Sequence, residues 1–366
     1  MTSFTLQLTP CGGTEHLADL ASFRQQSLPI PHSYASWSLH HHLAEWVWVR
    51  ACRPDGSLLC AFAVALHSSH AIPGMRIGRI EHFGGDLHQA AAPLAGQILA
   101  ATARHLPRLL RLEVQLFDTD PEHRNQVSRL LCAAGGNPMP EPRSYSHTLR
   151  LDLTASTEEV LFKQLSSRMR RNLRKTAREA DIHIEPISDN SLTARISRLH
   201  NDSFKRHSGS APALDIPAMI RDSQAGSGSQ LLGAFDHRRP APDHLIAFAW
   251  ATFHGDHATY EHAASEPVRN ASAIAPGAAL MWRLILWARE QGASWFDLGG
   301  TLPPNSPDDH PLQGIITFKQ GFSNDRVKLS SEYVFEPHPF LVGAINQGRR
   351  MAGRIRASMS REHFAS

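Results

Sequence analysis

The chain predicts a mixed α/β fold, with mixed sheets, built as a tandem duplication, and three observations carry that prediction. Short apolar strands alternate with amphipathic helical stretches along most of the 366 residues. The same order of elements occurs twice, with matched elements about 185 residues apart. The length exceeds what one ordinary core fills and suits two domains of roughly 150 to 200 residues.

In the first half, residues 46–52 (WVWVRAC), 58–66 (LLCAFAVAL) and 75–83 (MRIGRIEHF) read as three successive strands. The turn-formers PDG and IPG separate them, which makes an antiparallel meander. A helix over 89–105, a strand over 110–117 (LRLEVQLF), a helix over 121–134 and a strand over 146–153 (SHTLRLDL) complete the half. The second half repeats this order with strands at 231–235, 245–253 and 257–263 and a helix at 277–291. A strand at 294–298, a short segment at 314–320 and a last strand at 330–335 follow.

The expected division is therefore 1–155, 156–336 and a basic amphipathic helix over 337–366 that carries Arg349, Arg350, Arg354 and Arg356. Between the halves, 157–184 places Phe162, Leu165, Met169, Leu173 and Thr176 at helical spacing, which predicts one amphipathic helix. Four prolines and no periodicity mark 300–313 (GTLPPNSPDDHPLQ) as a loop insert.

Composition excludes several classes. Hydrophobic residues make up 42% and charged residues 19%, and no apolar run approaches the roughly 18 to 20 residues of a membrane span. The start, MTSFTLQLTPCGG, lacks a basic segment followed by an apolar core, so a cytoplasmic location is expected. Cys11, Cys52, Cys60 and Cys132 have no CxxC spacing and read as reduced, buried thiols. Despite 23 histidines there is no HExxH and no zinc-spaced Cys/His pair, so no metal site is expected. The chain also lacks a GxSxG nucleophile motif.

The formal charge is only +3, yet six Arg or Lys fall between 168 and 178. On a helix Arg171, Arg174, Lys175 and Arg178 fall at i, i+3, i+4 and i+7 and share one face. Like charges so placed repel by a few tenths of a kcal/mol per pair, a cost a polyanion relieves. A solvated basic face is the alternative.

The order meander, helix, strand, helix, strand is similar to the GNAT acyltransferase fold. FDLGG (296–300), GIITFKQGF (314–322), SSRMRRNLRKTARE, LHNDSFKRHSG (199–209) and APGAALMWRLILWAREQG (275–292) together resemble the FemAB/FemX family. That family moves an aminoacyl group from aminoacyl-tRNA to an amine on a peptidoglycan precursor. The resemblance covers roughly 150–335, while HFGGDL (82–87) departs from the stretch the family shows there.

The resemblance implies an acyltransferase that forms an amide bond, with the basic helix (Arg171, Arg174, Lys175, Arg178) and Arg206 holding phosphates. It implies Lys319 as the cation that stabilises developing negative charge, Phe318 as a pocket wall, and Gly299 and Gly300 as substrate-binding turns. Asp297 either orients the amine or caps the turn into the glycines, and Tyr260 either lines the cleft or packs. The co-substrate expected is aminoacyl-tRNA, with no bound cofactor, and the acceptor an amine, such as a cell-wall precursor, reached with peripheral contact at a membrane surface. A direct attack on an activated ester needs no enzyme nucleophile.

Two alternatives accompany this reading. An acyl-CoA such as acetyl-CoA serves as donor to a sugar or small amine, although RNASAIAPG (269–277) lacks the closely spaced glycines of a CoA pyrophosphate turn. The other is a non-catalytic RNA-binding protein that uses the same helix.

Overall fold

The computed structural model describes residues 3–341, apart from 26–44, 85–90, 268–275 and positions 141, 142, 144, 156, 208, 210, 227, 255, 305, 308, 309 and 311. The expected C-terminal arginine helix and most of RNASAIAPG lie outside the described residues. The first half runs β1 (Thr5–Pro10), α1 (Thr14–Gln25), β2 (Glu45–Cys52), β3 (Leu58–Ser68), β4 (Arg76–Gly84), α2 (Ala95–His105), β5 (Leu109–Phe117), α3 (Pro121–Ala133) and β6 (Asn137–Pro138). Next come β7 (His147–Asp152), α4 (Glu158–Gln164) and α5 (Ser167–Thr176). The second half runs β8 (Ile182–Pro186), α6 (Thr193–His207), α7 (Ile216–Gln224), β9 (Ser229–Asp236), β10 (Leu245–Phe253) and β11 (His257–Ser265). It ends with α8 (Gly277–Glu290), β12 (Trp295–Thr301), α9 (Gln313–Gln320), β13 (Asp325–Lys328) and β14 (Ser330–Phe335).

The repeat is real and longer than the sequence indicated. In each half four antiparallel neighbours, β1 to β4 and β8 to β11, are followed by a crossover helix and a parallel strand, β5 or β12. Side-chain alternation explains the layering. On β10, Ala247, Ala249 and Ala251 face the core that Met281, Leu284 and Ile285 of α8 complete. Phe248 and Trp250 point the other way, onto Ile196 of α6 and Met219 of α7. Small residues on one face let α8 lie close to the sheet.

The closing strands differ from the expected order, because each half lends one to the other. The sheets run β1-β2-β3-β4-β5-β14-β6 and β13-β7-β12-β11-β10-β9-β8. Thus β7, at the end of the first half, pairs with β12 and β13, whereas β14 pairs with β5 across the full span Ser330–Phe335. Buried charge holds the exchanged β14. Glu332 accepts a hydrogen bond from the Arg143 amide at 2.8 Å, and the Arg143 guanidinium lies 3.1 Å from Glu113, which Arg79 and Arg111 also pair. A buried carboxylate surrounded by guanidinium groups is retained because removing a partner would leave a charge uncompensated.

Two further expectations are corrected. The helix expected over 157–184 is two helices and a strand. Leu165 and Ser166 are extended, and the Ser166 hydroxyl caps α5 by accepting from the Met169 amide at 3.2 Å. Residues 182–186 pair with β9 as the sheet-edge strand β8. The segment 314–320 is helical, so Lys319 comes from the last turn of α9 and not from beside a strand end.

Strand exchange makes a testable statement about stability. Phe335 lies in the first core although it follows the whole second half in sequence. Phe335→Ala should cost about 3 kcal/mol, the usual range for truncating a buried aromatic. In hydrogen exchange the protection lost should appear first in β5, more than 200 residues upstream, and not in β12.

Candidate active site

The second sheet opens where the first stays closed. β4 and β5 stay paired from Arg76 to Gly84, through register shifts at Arg76/Ile77 and Ile80/Phe83, whereas β11 and β12 pair only as His257–Trp295, Ala258–Phe296 and Thr259–Asp297. Past Thr259 and Asp297 the two strands part while both continue. Bulges flank the opening. Register with β10 passes from Trp250–His262 to Ala251–Tyr260, leaving Glu261 as an extra residue on β11. Register of β12 with β7 passes from Asp297–Arg150 to Gly300–Thr148, leaving an extra residue at Leu298–Gly299. Such extra residues bend a strand and re-aim its side chains, and they recur beside active sites.

Gly299 is required at its position. Its φ of +81° is left-handed, and a Cβ there would lie 3.2 Å from Lys319 Nζ and 3.3 Å from the Tyr260 carbonyl. The absence of a side chain lets the Lys319 amine settle against the backbone, where Nζ donates to the Gly300 carbonyl at 2.8 Å. Gly300 in turn lies against the ring of Tyr145, which a Cβ would strike at 2.5 Å.

Asp297 is buried. Its Oδ1 accepts from the Gly299 amide at 2.7 Å and from the Thr148 hydroxyl. The turn-capping reading of Asp297 is therefore realised in the geometry. Burial raises the Asp297 carboxyl pKa above its ordinary value, against the two hydrogen bonds. Burial also lowers Lys319 from 10.5 to about 8, with the Asp297 charge opposing that shift.

Glu261 is the residue the sequence reading missed. Its carboxyl accepts from the Thr252 hydroxyl at 2.6 Å, and burial, followed by the charges of Asp297 and Glu81, pushes it up to about 8. A run such as YEHAA carries no motif, and burial with the charges of Asp297 and Glu81 makes this carboxyl unusual. The first half also contacts this sheet. Phe117 of β5 stacks on His257 at 5.9 Å between ring centres, and His257 stacks on Trp295 at 4.3 Å. Burial keeps His82 and His254 neutral by lowering both, His82 to about 3.

The expected residues thus separate into groups. Lys319, Asp297, Gly299 and Gly300 converge with the Tyr260 backbone. The Tyr260 ring packs on the α8 side of the sheet, where burial raises its hydroxyl pKa. Phe318 packs against Phe322 and reaches the start of α8, 4.0 Å from where a Gly277 Cβ would be. Arg206 is exposed, and its Nη2 donates at 2.8 Å to the carbonyl of Ser265, the last residue of β11.

Arg171, Arg174, Lys175 and Arg178 are exposed, while Met169, Leu173 and Thr176 face inward. The helix α5, which carries the first three and ends at Thr176 so that Arg178 falls in the turn beyond it, is tied to the Lys319 helix, since the Ser166 amide donates to the Gly321 carbonyl at 2.9 Å. Arg174 also covers the Phe162 ring at 5.4 Å, beside a hollow of about 300 Å³ floored by Leu173, Ile182 and Trp282. Among the residues lining that hollow no titratable group is buried.

The low Lys319 pKa has a measurable consequence. The unfolded chain binds this proton up to pH 10.5 and the folded chain only up to about 8, so stability rises with pH across that window. Below it the buried ammonium costs up to about 3 kcal/mol, at 1.36 kcal/mol per pKa unit. Between pH 7 and pH 10 the stability of Lys319→Met relative to the parent should fall by about 2 to 3 kcal/mol. A difference independent of pH would show that the amine is not buried in its charged form.

Comparison with known proteins agrees with this architecture. Residues 163–310 match the model of the acetyltransferase (GNAT) domain. The crystal structure of FemX superposes with a TM-score of 0.68 at 14% identity, over 88% of this chain and 97% of that one. L-PGS from Bacillus licheniformis gives 0.52 at 12% identity, over 92% and 96%. Among curated proteins no sequence matches. Identities this low speak for the fold alone. Residues 163–310 therefore carry a GNAT acetyltransferase domain, which makes the chain an acyltransferase, and the chain as a whole is similar in fold to FemX.

Proposed function

We propose that the chain transfers an aminoacyl group from aminoacyl-tRNA to an amine acceptor such as a peptidoglycan precursor. The observation that carries this reading is the buried Lys319 amine at the parted ends of β11 and β12, next to a basic helix anchored on the same element. The acceptor amine attacks the ester carbonyl, a C–N bond forms, the C–O bond to the ribose breaks, and the departing hydroxyl takes a proton. Lys319 donates one N–H to Gly300 and retains two for the carbonyl oxygen as it gains negative charge.

Glu261, with a pKa close to neutrality, accepts the amine proton. Asp297 acts through Gly299, by fixing the turn on which Lys319 rests, and Tyr260 and Phe318 shape the apolar side. No enzyme nucleophile is needed, because positioning and charge stabilisation supply the acceleration. The acceptor enters between the halves, where Glu261 senses the Glu81 charge of the first half. FemX and L-PGS, with the same fold, support a cell-wall precursor or a lipid as the carrier of that amine. No helix among the described residues is long and apolar enough to cross a membrane, so contact with such an acceptor would be peripheral.

One observation favours acyl-CoA as the donor instead. The match is to an acetyltransferase domain, and α8 begins at the opening with no side-chain cap on its first amides. Mixing the purified protein with charged tRNAs or with acetyl-CoA separates the readings. Selective retention of charged tRNA is expected, and tight CoA binding without tRNA binding would replace this donor with acyl-CoA. Salt-sensitive RNA binding with no acyl transfer would leave a binding protein.

With the donor that transfers, Lys319→Ala should lower kcat by roughly 10² to 10³, the loss typical of an oxyanion donor, with donor binding retained. Full activity in that variant would remove Lys319 from the mechanism. If the exposed cations hold tRNA phosphates, Arg171→Ala with Arg178→Ala should reduce the slope of log K against log salt by about two, roughly one per cation. An unchanged slope would return this face to plain solvation.

A further inference from the structure

The sequence has no local metal-binding spacing, yet strand pairing assembles a ligand set that spacing conceals. His183 and Glu185 are two apart on β8 and so share one face of the edge strand. In the ladder His183 lies opposite Phe235 of β9. The His237 amide continues that ladder by donating to the Asp181 carbonyl at 2.9 Å, which returns His237 to the same face, diagonal to His183. Among the described residues these three form the one group whose His, Cys, Asp or Glu ligand atoms all lie within 4.8 Å of one another.

A second observation points the same way. His183 Nε2 lies 2.8 Å from the Ala180 carbonyl, an acceptor only, so that nitrogen carries the proton. Nδ1 is left with a free lone pair, and it faces Glu185 Oε1 at 4.0 Å. Metal-binding imidazoles are oriented in this way, one nitrogen donating to a backbone carbonyl and the other left to coordinate. The two imidazoles meet edge to face, 4.7 Å between ring centres. Tetrahedral zinc with bonds of about 2.1 Å needs ligand atoms about 3.4 Å apart. Half-exposed side chains close that gap by small rotations.

Nearby positive charge is compensated: Arg238 is engaged by Asp236 at 2.8 Å and paired with Asp181 at 3.9 Å.

We propose that His183, Glu185 and His237 bind one zinc-class divalent ion, with a fourth position open to water. Two imidazole nitrogens and one carboxylate suit Zn²⁺, and not Mg²⁺ or Ca²⁺, which take oxygen ligands. The ion clamps the edge strand β8 onto β9, immediately after the basic helix. The site is remote in sequence from Lys319 and independent of the transfer chemistry.

The test uses untagged full-length protein and Zn²⁺ alone. Isothermal titration should give one saturable site per chain, a raised Tm that EDTA reverses, and no response to Mg²⁺. His183→Ala and His237→Ala should each weaken binding at least tenfold, the loss that disturbing even an outer partner of a ligand produces. Because the residues are exposed, both variants should keep the parent Tm without metal, which separates lost binding from lost folding. Absence of binding by the parent overturns the proposal. So does unchanged affinity in the double variant, which would assign the zinc to other histidines.

Discussion

β12 is held between two partners that it cannot satisfy together. On one edge it pairs antiparallel with β7, lent by the first half, and on the other it runs parallel to β11. One extra residue at Leu298–Gly299 keeps the β7 ladder going while β11 is released. A left-handed glycine absorbs the bend, the Asp297 carboxylate and the Thr148 hydroxyl from β7 pin it, and the released edge becomes the opening. Without the exchanged strand, β12 would be a sheet edge beside β11 and nothing would fix the bulge. Strand exchange is therefore a condition for the site as well as for the fold.

Charge is the second constraint. A buried ammonium, two carboxyls and several imidazoles lie in a region from which water is largely removed, and desolvation is the leading cause of shift at Lys319, Asp297, Glu261 and His254. Such an arrangement costs stability, and it is tolerated where the groups have work to do. In a low-dielectric site the same ammonium interacts far more strongly with developing charge than it would in water. A stack of rings, Phe117, His257 and Trp295, spans both halves. The first half thus reaches this sheet through Phe117 and through the Glu81 charge at Glu261, even though its own β4 and β5 do not part.

The duplication, the meanders and the crossover helices were legible in the sequence because they rest on local periodicity. The residues of FDLGG and FK stood out in the sequence, and Lys319, Asp297, Gly299 and Gly300 do converge in space. Other features had no local signal. The helix read over 157–184 breaks at Ser166 because its hydroxyl caps a new start, and periodicity alone runs through such a cap. Glu261 looked like any strand glutamate, since its pKa depends on burial and on the charges of Asp297 and Glu81. His183 and His237 are far apart in the chain and meet only through the β8–β9 ladder.

Local pattern by itself determined which segments are strands and helices, that the order occurs twice, and where the cations cluster, because hydrophobic period and charge spacing act over one or two turns. Only the tertiary structure decided which half each closing strand joins, where the parallel pair opens, and which buried groups feel one another. Those depend on hydrogen-bond pairing and desolvation between residues from about 20 to more than 200 positions apart, and no short window of sequence encodes them.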